Sequence, residues 1–456
     1  MADLRSTAAV QRFDALDSLR CLAVLLMVQG HAFYLTLASA DRSAFWYQWH
    51  SYIHGYTAPG FMFGAGLAFG FTTLSDRIDQ HARWTPLLRH RLYRYLSLII
   101  IGYALQLPPL AENAVHWLQS DLNQFARVEA LQNIGAALLF CQLLVILLRR
   151  PIPVAVSTLV LGATIVLSGP AVSRIAATEL GPLPLAGYLS SEFGSTFPLV
   201  PWAGFVLVGV TLGAWLKRLA ASVPLIRIAV AFALAGVVLV ALSLQLDKFW
   251  PDAFGPHRYW KVSPYFFLRR LGWLMIALGA LAALDASLQR VRARDGAIRI
   301  WVRRVGQHSL LLYVAHLLLL YGSPISPGLE VIVAGRLNVW QSAGLVVLIF
   351  LTLALILRAW NALELRHGPR FAQLRRLAVA VVAMTVMTAA VRAGDRILAP
   401  AVRPPYMPVR GAVATNLPQT HGDDAIDPMN STVKLAKKQA RLMRLPDKGS
   451  QMARVC

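Results

Sequence analysis

The chain has 456 residues, of which 57% are hydrophobic and only 14% charged, with a mean hydropathy of +0.54. That balance is too apolar for a soluble globular protein and points to a chain that crosses a membrane many times. The formal net charge of +22 would suit nucleic acid, but the basic residues lie in short clusters between apolar runs and build no basic domain, so no nucleic-acid partner is expected.

Eleven runs come near the roughly 20 apolar residues of a bilayer crossing, over residues 17–38, 56–75, 92–108, 129–149, 152–168, 197–217, 224–246, 267–286, 306–323, 338–358 and 377–395. The sequence therefore predicts an all-α fold, a polytopic integral membrane helix bundle. The run over 152–168 is short and opens on Pro151 and Pro153, which leaves a full crossing and a re-entrant segment both open. Arginines and lysines fill alternate connections, among them Arg77 to Arg94, Lys217 to Arg227 and Arg290 to Arg304. The intervening connections, Asp41 to His54, Glu112 to Asp121 and Asp247 to Lys261, carry more Asp, Glu, Trp and Pro. The positive-inside rule then puts the N-terminus in the cytoplasm and the odd connections outside. A cytoplasmic segment (1–16), a membrane domain (17–398) and a basic, mostly disordered tail (399–456) follow. Cys21, Cys141 and Cys456 lack metal-ligand spacing, so free thiols and no metal are expected.

Within hydrocarbon, ionisable side chains are costly and tend to face a bundle interior or a wet cavity. On the first run Arg20 and His31 are eleven positions apart, so they share a helix face at a separation of about 16 Å along the axis. A guanidinium at the surface below a buried imidazole suits an anionic donor held at one surface, with chemistry near mid-membrane. Asp17, on the same face, is placed to orient Arg20. His50 and His54 follow in an exterior loop whose Trp46, Tyr47 and Trp49 read as an interfacial belt. Gly60, Gly64, Gly66 and Gly70 form a small-residue ridge for a neighbouring helix. Gln132 and Asn133 open the fourth run, and Pro198, Pro201 and Trp202 open the sixth as packing residues. Arg269 and Arg270 enter the eighth, suited to an acidic acceptor or to lipid phosphate. His308, Ser309, Tyr313 and His316 place a polar stripe on the ninth.

Five segments in order, LDSLRCLAVLLMVQGH, HGYTAPGFMFGAGL, ALQNIGAALLF, FPLVPWAGFVLVG and VGQHSLLLYVAHLLLLYG, resemble the transmembrane acyltransferases. They are most similar to the bacterial branch that resembles the heparan-alpha-glucosaminide N-acetyltransferase catalytic domain. The first segment carries, in Arg20 and His31, the R-x10-H pattern of the wider membrane acyltransferase-3 superfamily. The resemblance implies a multi-pass enzyme of the bacterial cytoplasmic (inner) membrane. It would move an acyl group, in the first instance acetyl, from cytoplasmic acyl-CoA (acetyl-CoA or another) to an exterior glycan or glycoconjugate. His31 would be catalytic, with Arg20 and Asp17 at the acyl-CoA. Lysosomal relatives resemble the chain differently: an asparagine stands at the His31 position and the catalytic histidine lies in the following loop, nearest His50. His31, His50 and His54 are thus the catalytic candidates. Gln132, Asn133, Arg269, Arg270, His308, Ser309, Tyr313 and His316 are the substrate-binding ones. Cys21 departs from the glycine that the family carries after the arginine. Membrane lipid, acyl-CoA and the acceptor are the expected partners, and a homodimer is left open. A transporter or flippase of a lipid-linked or small anionic substrate would use the same polar stripe as a path and would move substrate without acyl-CoA.

Overall fold

The computed structural model describes residues 13–75, 78–107, 126–175, 183–290, 296–323 and 326–393. Residues 1–12 of the expected N-terminal segment, the loop from Glu112 to Asp121 and the tail over 399–456 lie outside the described residues. Within them the chain is helical, with two isolated bridges. The principal helices are α1 (Asp14–Thr36), α2 (Phe45–His54), α3 (Thr57–Thr73), α4 (Pro86–Ala104), α5 (Ala130–Leu148) and α6 (Pro151–Val172). They continue with α7 (Leu199–Leu219), α8 (Leu225–Phe249), α9 (Pro264–Arg290), α10 (Ala297–Gln307), α11 (Ser309–Tyr321) and α12 (Val339–Ala393).

An all-α polytopic bundle is what the structure shows. Among the described residues seven helices, α1, α5 to α9 and the Val339–Gly368 part of α12, are long and apolar enough to cross a membrane. Of the other expected crossings, α3 has 17 residues and α4 keeps Arg89, Arg91 and Arg94 within its length. The ninth run is broken at His308 (φ −100°, ψ 24°), which separates the amphipathic α10 from an α11 of 13 residues. The tenth and eleventh belong to one helix interrupted at Gly368 (φ 31°, ψ −105°). A hydropathy window averages over such breaks, because it registers composition and not backbone dihedrals. The segment that opens on two prolines is a 22-residue helix, α6. Pro151 occupies its first turn, where the missing N–H would have no partner within the helix.

Two apolar clusters meet on α1. Ala15, Leu16 and Leu19 join the cluster built from α3 and α5 to α9. Val24, Met27, Val28, Ala32 and Leu35 join a second one with α10 to α12. A helix apolar on both sides becomes an internal wall, so polar side chains on it face protein and not lipid. Glycines set how α3 lies against this wall. A Cβ on Gly66 would sit 2.0 Å from the Val206 carbonyl oxygen and one on Gly70 2.0 Å from that of Val210, so α3 and α7 touch backbone to backbone. Gly60 faces Ala23 and Leu274, and Gly64 faces Leu16, Leu19 and Arg20. The expected ridge is therefore two faces of packing, one against α7 and one against α1 and α9.

Both ends of α1 are tied down. At the first, Asp14 accepts from Arg303 (2.8 Å) and Arg299 (3.1 Å), and Arg299 also pairs with Asp285. At the other, Ala38 N–H donates to Leu337 O and Leu337 N–H to Thr36 O, each at 2.9 Å. Gly306 packs on the Asp17 backbone, so α10 and α11 run beside α1 in the same direction.

Candidate active site

Three consecutive residues of α1 each hold a histidine brought from elsewhere. Gln29 Oε1 accepts from His50 Nε2 at 2.9 Å. Gly30 leaves the gap that the His54 ring fills: a Cβ there would lie 1.9 Å from His54 Nδ1. His31 Nδ1 lies 3.1 Å from Nε2 of His316, a residue 285 positions away on α11. The rings of His31 and His54 meet edge to face with centroids 5.1 Å apart, and those of His54 and His50 stack at 6.5 Å. Tyr321 and Tyr313 close the far side, 6.3 Å from the His31 ring and 5.7 Å from the His316 ring respectively.

The hydrogen bonds assign the tautomers. His316 Nδ1 lies 3.0 Å from the Leu312 carbonyl, which can only accept, so Nδ1 carries the proton and the neutral ring offers a lone pair at Nε2. His31 must then donate from Nδ1, which leaves the lone pair on its Nε2. His54 donates from Nδ1 to the Leu26 carbonyl at 3.3 Å and keeps its own Nε2 lone pair. His50 spends its Nε2 proton on Gln29 and buries Nδ1 without a partner. One base is thus relayed to a backbone carbonyl through a second histidine, a device that orients an imidazole and stabilises the proton that it gains.

Burial, followed by the neighbouring His54, pushes His50 down to about 4, and burial also lowers His54 against the opposing effect of its hydrogen bond to the Leu26 carbonyl. Both are neutral at ordinary pH. A histidine lowered in the folded protein is protonated first when it is undocked, so its contribution is complete above about 6.5 and is lost as pH falls towards 4. Thermal stability of the solubilised protein is therefore expected to decline on acidification through this window. His50→Gln should weaken the decline, which a melting series from pH 7.5 to 4.5 would measure.

The remaining candidates separate. Arg20 lies at the other end of the shared face, paired with Asp17 at 3.8 Å and close enough to Arg94 of α4 to feel its charge. His308 and Ser309 sit at the α10–α11 break near the Asp17 level, and Tyr313 and His316 continue the stripe to His31. Gln132 is buried against Gly102. Asn133 donates to the carbonyls of Phe197 (3.1 Å) and Pro198 (3.0 Å), tying α5 to the start of α7. Arg269, 2% exposed, is ion-paired with Asp247 at 3.0 Å, whereas the adjacent Arg270 stacks on aromatic rings. Sequence reasoning missed Gln29, Gly30 and Tyr321. The signal available for the first two was a glutamine and a glycine directly before an intramembrane histidine.

Among the described residues, no three His, Cys, Asp or Glu are grouped to hold a metal ion. Residues 12–234 match the family described as "Heparan-alpha-glucosaminide N-acetyltransferase, catalytic". Four of the five recognised segments fall inside this stretch, and the one that carries His316 falls beyond it. No curated relative matches the chain.

Proposed function

Taking residues 12–234 as a transmembrane acyltransferase domain of that family, we propose that the protein transfers an acyl group, acetyl in the first instance, from cytoplasmic acyl-CoA to a hydroxyl or amine of an exterior glycan or glycoconjugate. The observation that carries this reading is the relay from the Leu312 carbonyl through His316 to His31, which leaves an oriented basic nitrogen deep in the bundle.

The chain's own groups divide the work along α1. Arg20, paired to Asp17, and the nearby Arg94 form a guanidinium pair that fits phosphate groups. The helix is continuous from Arg20 to His31, so donor phosphates at one level and a thioester about 16 Å further along share one face. His31 Nε2 takes the proton from the acceptor as its oxygen or nitrogen bonds to the thioester carbonyl carbon. The carbon–sulfur bond breaks, and the CoA sulfur leaves with the proton held by His31. His316 accepts the Nδ1 hydrogen bond throughout, which strengthens as His31 gains charge. His54, with a free lone pair beside His31, lies on the acceptor's path, and His50 holds the α2 helix against α1. The N-terminus is cytoplasmic and the membrane is the bacterial inner membrane.

The test is CoA release by the purified full chain, together with mass spectrometry of cell-envelope glycans and lipids from cells with and without it. A lost acyl mass identifies donor and acceptor together. Neither acetyl-CoA binding nor CoA release with any glycan acceptor would end this reading.

A further inference from the structure

An open groove runs along the outside of the bundle between α6 and α7. The two helices are antiparallel: Gly162 faces Leu207 and Gly169 faces Pro201. Pro151 at the start of α6 therefore stands opposite Arg218 at the end of α7, and both line the groove. Ile152, Val156, Leu159 and Trp215 form its walls and are exposed, so it opens where hydrocarbon surrounds a membrane bundle. Its floor carries one hydroxyl, that of Thr211, which donates to the Ala155 carbonyl and accepts from Thr158, each at 2.9 Å. Satisfied inside the protein, this hydroxyl needs no polar guest, and the trough beside it is apolar. From Pro151 to Leu159 the groove follows α6 for about 12 Å, most of the ~15 Å of hydrocarbon in one leaflet.

Charge gathers at one end of it. Arg218 is its charged lining residue, and Arg149 and Arg150 directly precede Pro151. All three are exposed, and among the described residues none of them meets a carboxylate within ion-pair distance. Arg149 donates from Nε to the Ile146 carbonyl of its own helix at 3.2 Å, which leaves its terminal nitrogens. The start of α6, the positive end of its dipole, lies at the same level. Trp215, three residues before Arg218, has the amphipathic ring that settles at headgroup depth. A cationic end joined to an apolar trough matches a molecule that is anionic at one end and hydrocarbon at the other.

We propose that the α6–α7 groove is a binding site for one anionic phospholipid, its phosphate at Arg218 and Arg150 and an acyl chain lying along Val156 and Trp215. A guanidinium presents planar paired donors to a phosphate, and basic pockets between transmembrane helices select anionic lipid by the same chemistry. The lipid comes from the leaflet on the side of the basic connections. The groove shares no residue with the histidine cluster, and the proposal rests on no part of the acyltransferase reading.

The full chain in detergent is incubated with equal amounts of phosphatidylglycerol and phosphatidylcholine bearing the same acyl chains, and the retained lipid is read by native mass spectrometry. Phosphatidylglycerol should be retained about tenfold or more over phosphatidylcholine. Arg218→Gln should cut that preference about fivefold, whereas Arg227→Gln, at an exposed arginine of α8 outside the groove, should leave it unchanged. Val156→Trp fills the trough while every arginine stays, and it should lower retention of phosphatidylglycerol. On the unmodified protein glycerol 1-phosphate, a headgroup without chains, should not displace the lipid, a readout independent of any variant's folding. Equal retention of the two lipids overturns the proposal, as does equal loss in both arginine variants, which would assign the preference to diffuse surface charge. Displacement by glycerol 1-phosphate would make the ligand a soluble phosphate, and full retention in Val156→Trp would leave the groove unused; either result ends the proposal.

Discussion

Replacing His31 with alanine is expected to lower CoA release by about 10²- to 10⁴-fold, the range for loss of a positioned general base. The protein should still fold, since removing the ring leaves His316 bonded to the Leu312 carbonyl and His54 bonded to that of Leu26. His50→Ala is the decisive comparison. Its proton is already committed to Gln29, so its loss should cost turnover about tenfold or less through looser docking of α2. A larger loss in His50→Ala than in His31→Ala would move the catalytic assignment to the loop. In the proposed mechanism His316 acts through His31, as a positioning residue. His316→Leu should therefore lower kcat with little change in KM for acetyl-CoA, and His316→Gln, whose amide oxygen can still accept from His31 Nδ1, should recover part of the loss. A purely structural role for His316 would show no difference between leucine and glutamine at equal stability.

Gly30→Ala is the second large effect, and it comes from one methyl group. The new carbon would lie 1.9 Å from His54 Nδ1 and 2.4 Å from its Cγ, and α1 cannot step back because it is packed on both sides by apolar clusters. The His54 ring must leave, taking with it the bond to Leu26 and the edge contact on His31. Overpacking of this kind costs about 1–3 kcal/mol, which would lower the melting temperature, and turnover should fall at least to the level of His54→Ala. In the double variant Gly30→Ala/His54→Ala the clash has no partner, so most of the stability should return. Unchanged melting and turnover in Gly30→Ala would show that the ring does not occupy this gap.

How legible the site was depends on which contacts are local. Arg20 and His31 belong to one helix, and a spacing of eleven residues fixes their common face wherever that helix lies. The matched stretch and the apolar runs were likewise readable, because both are properties of consecutive residues. His316 could be placed on a polar stripe but not opposite His31. Arg269 and Arg270 could be placed at a helix entrance but not told apart, since their difference is made by Asp247 on α8 and Trp202 on α7. The same limit applies to the breaks at His308 and Gly368, which are dihedral events inside apolar sequence.

By itself the sequence determined that this is an all-α membrane chain with an arginine and a histidine aligned along its first helix. Side-chain polarity and the fixed rise of a helix suffice for that, because they act over neighbouring residues. Only the tertiary structure decided that Gln29, Gly30 and His31 each receive a histidine, that the basic nitrogen of His31 is its Nε2, and that Arg270 is left unbalanced while Arg269 is paired. Those outcomes depend on how far each helix is rotated about its axis and how closely it approaches its neighbour. These are set by contacts such as Gly66 on Val206 and Gly30 on His54, between residues far apart in the chain.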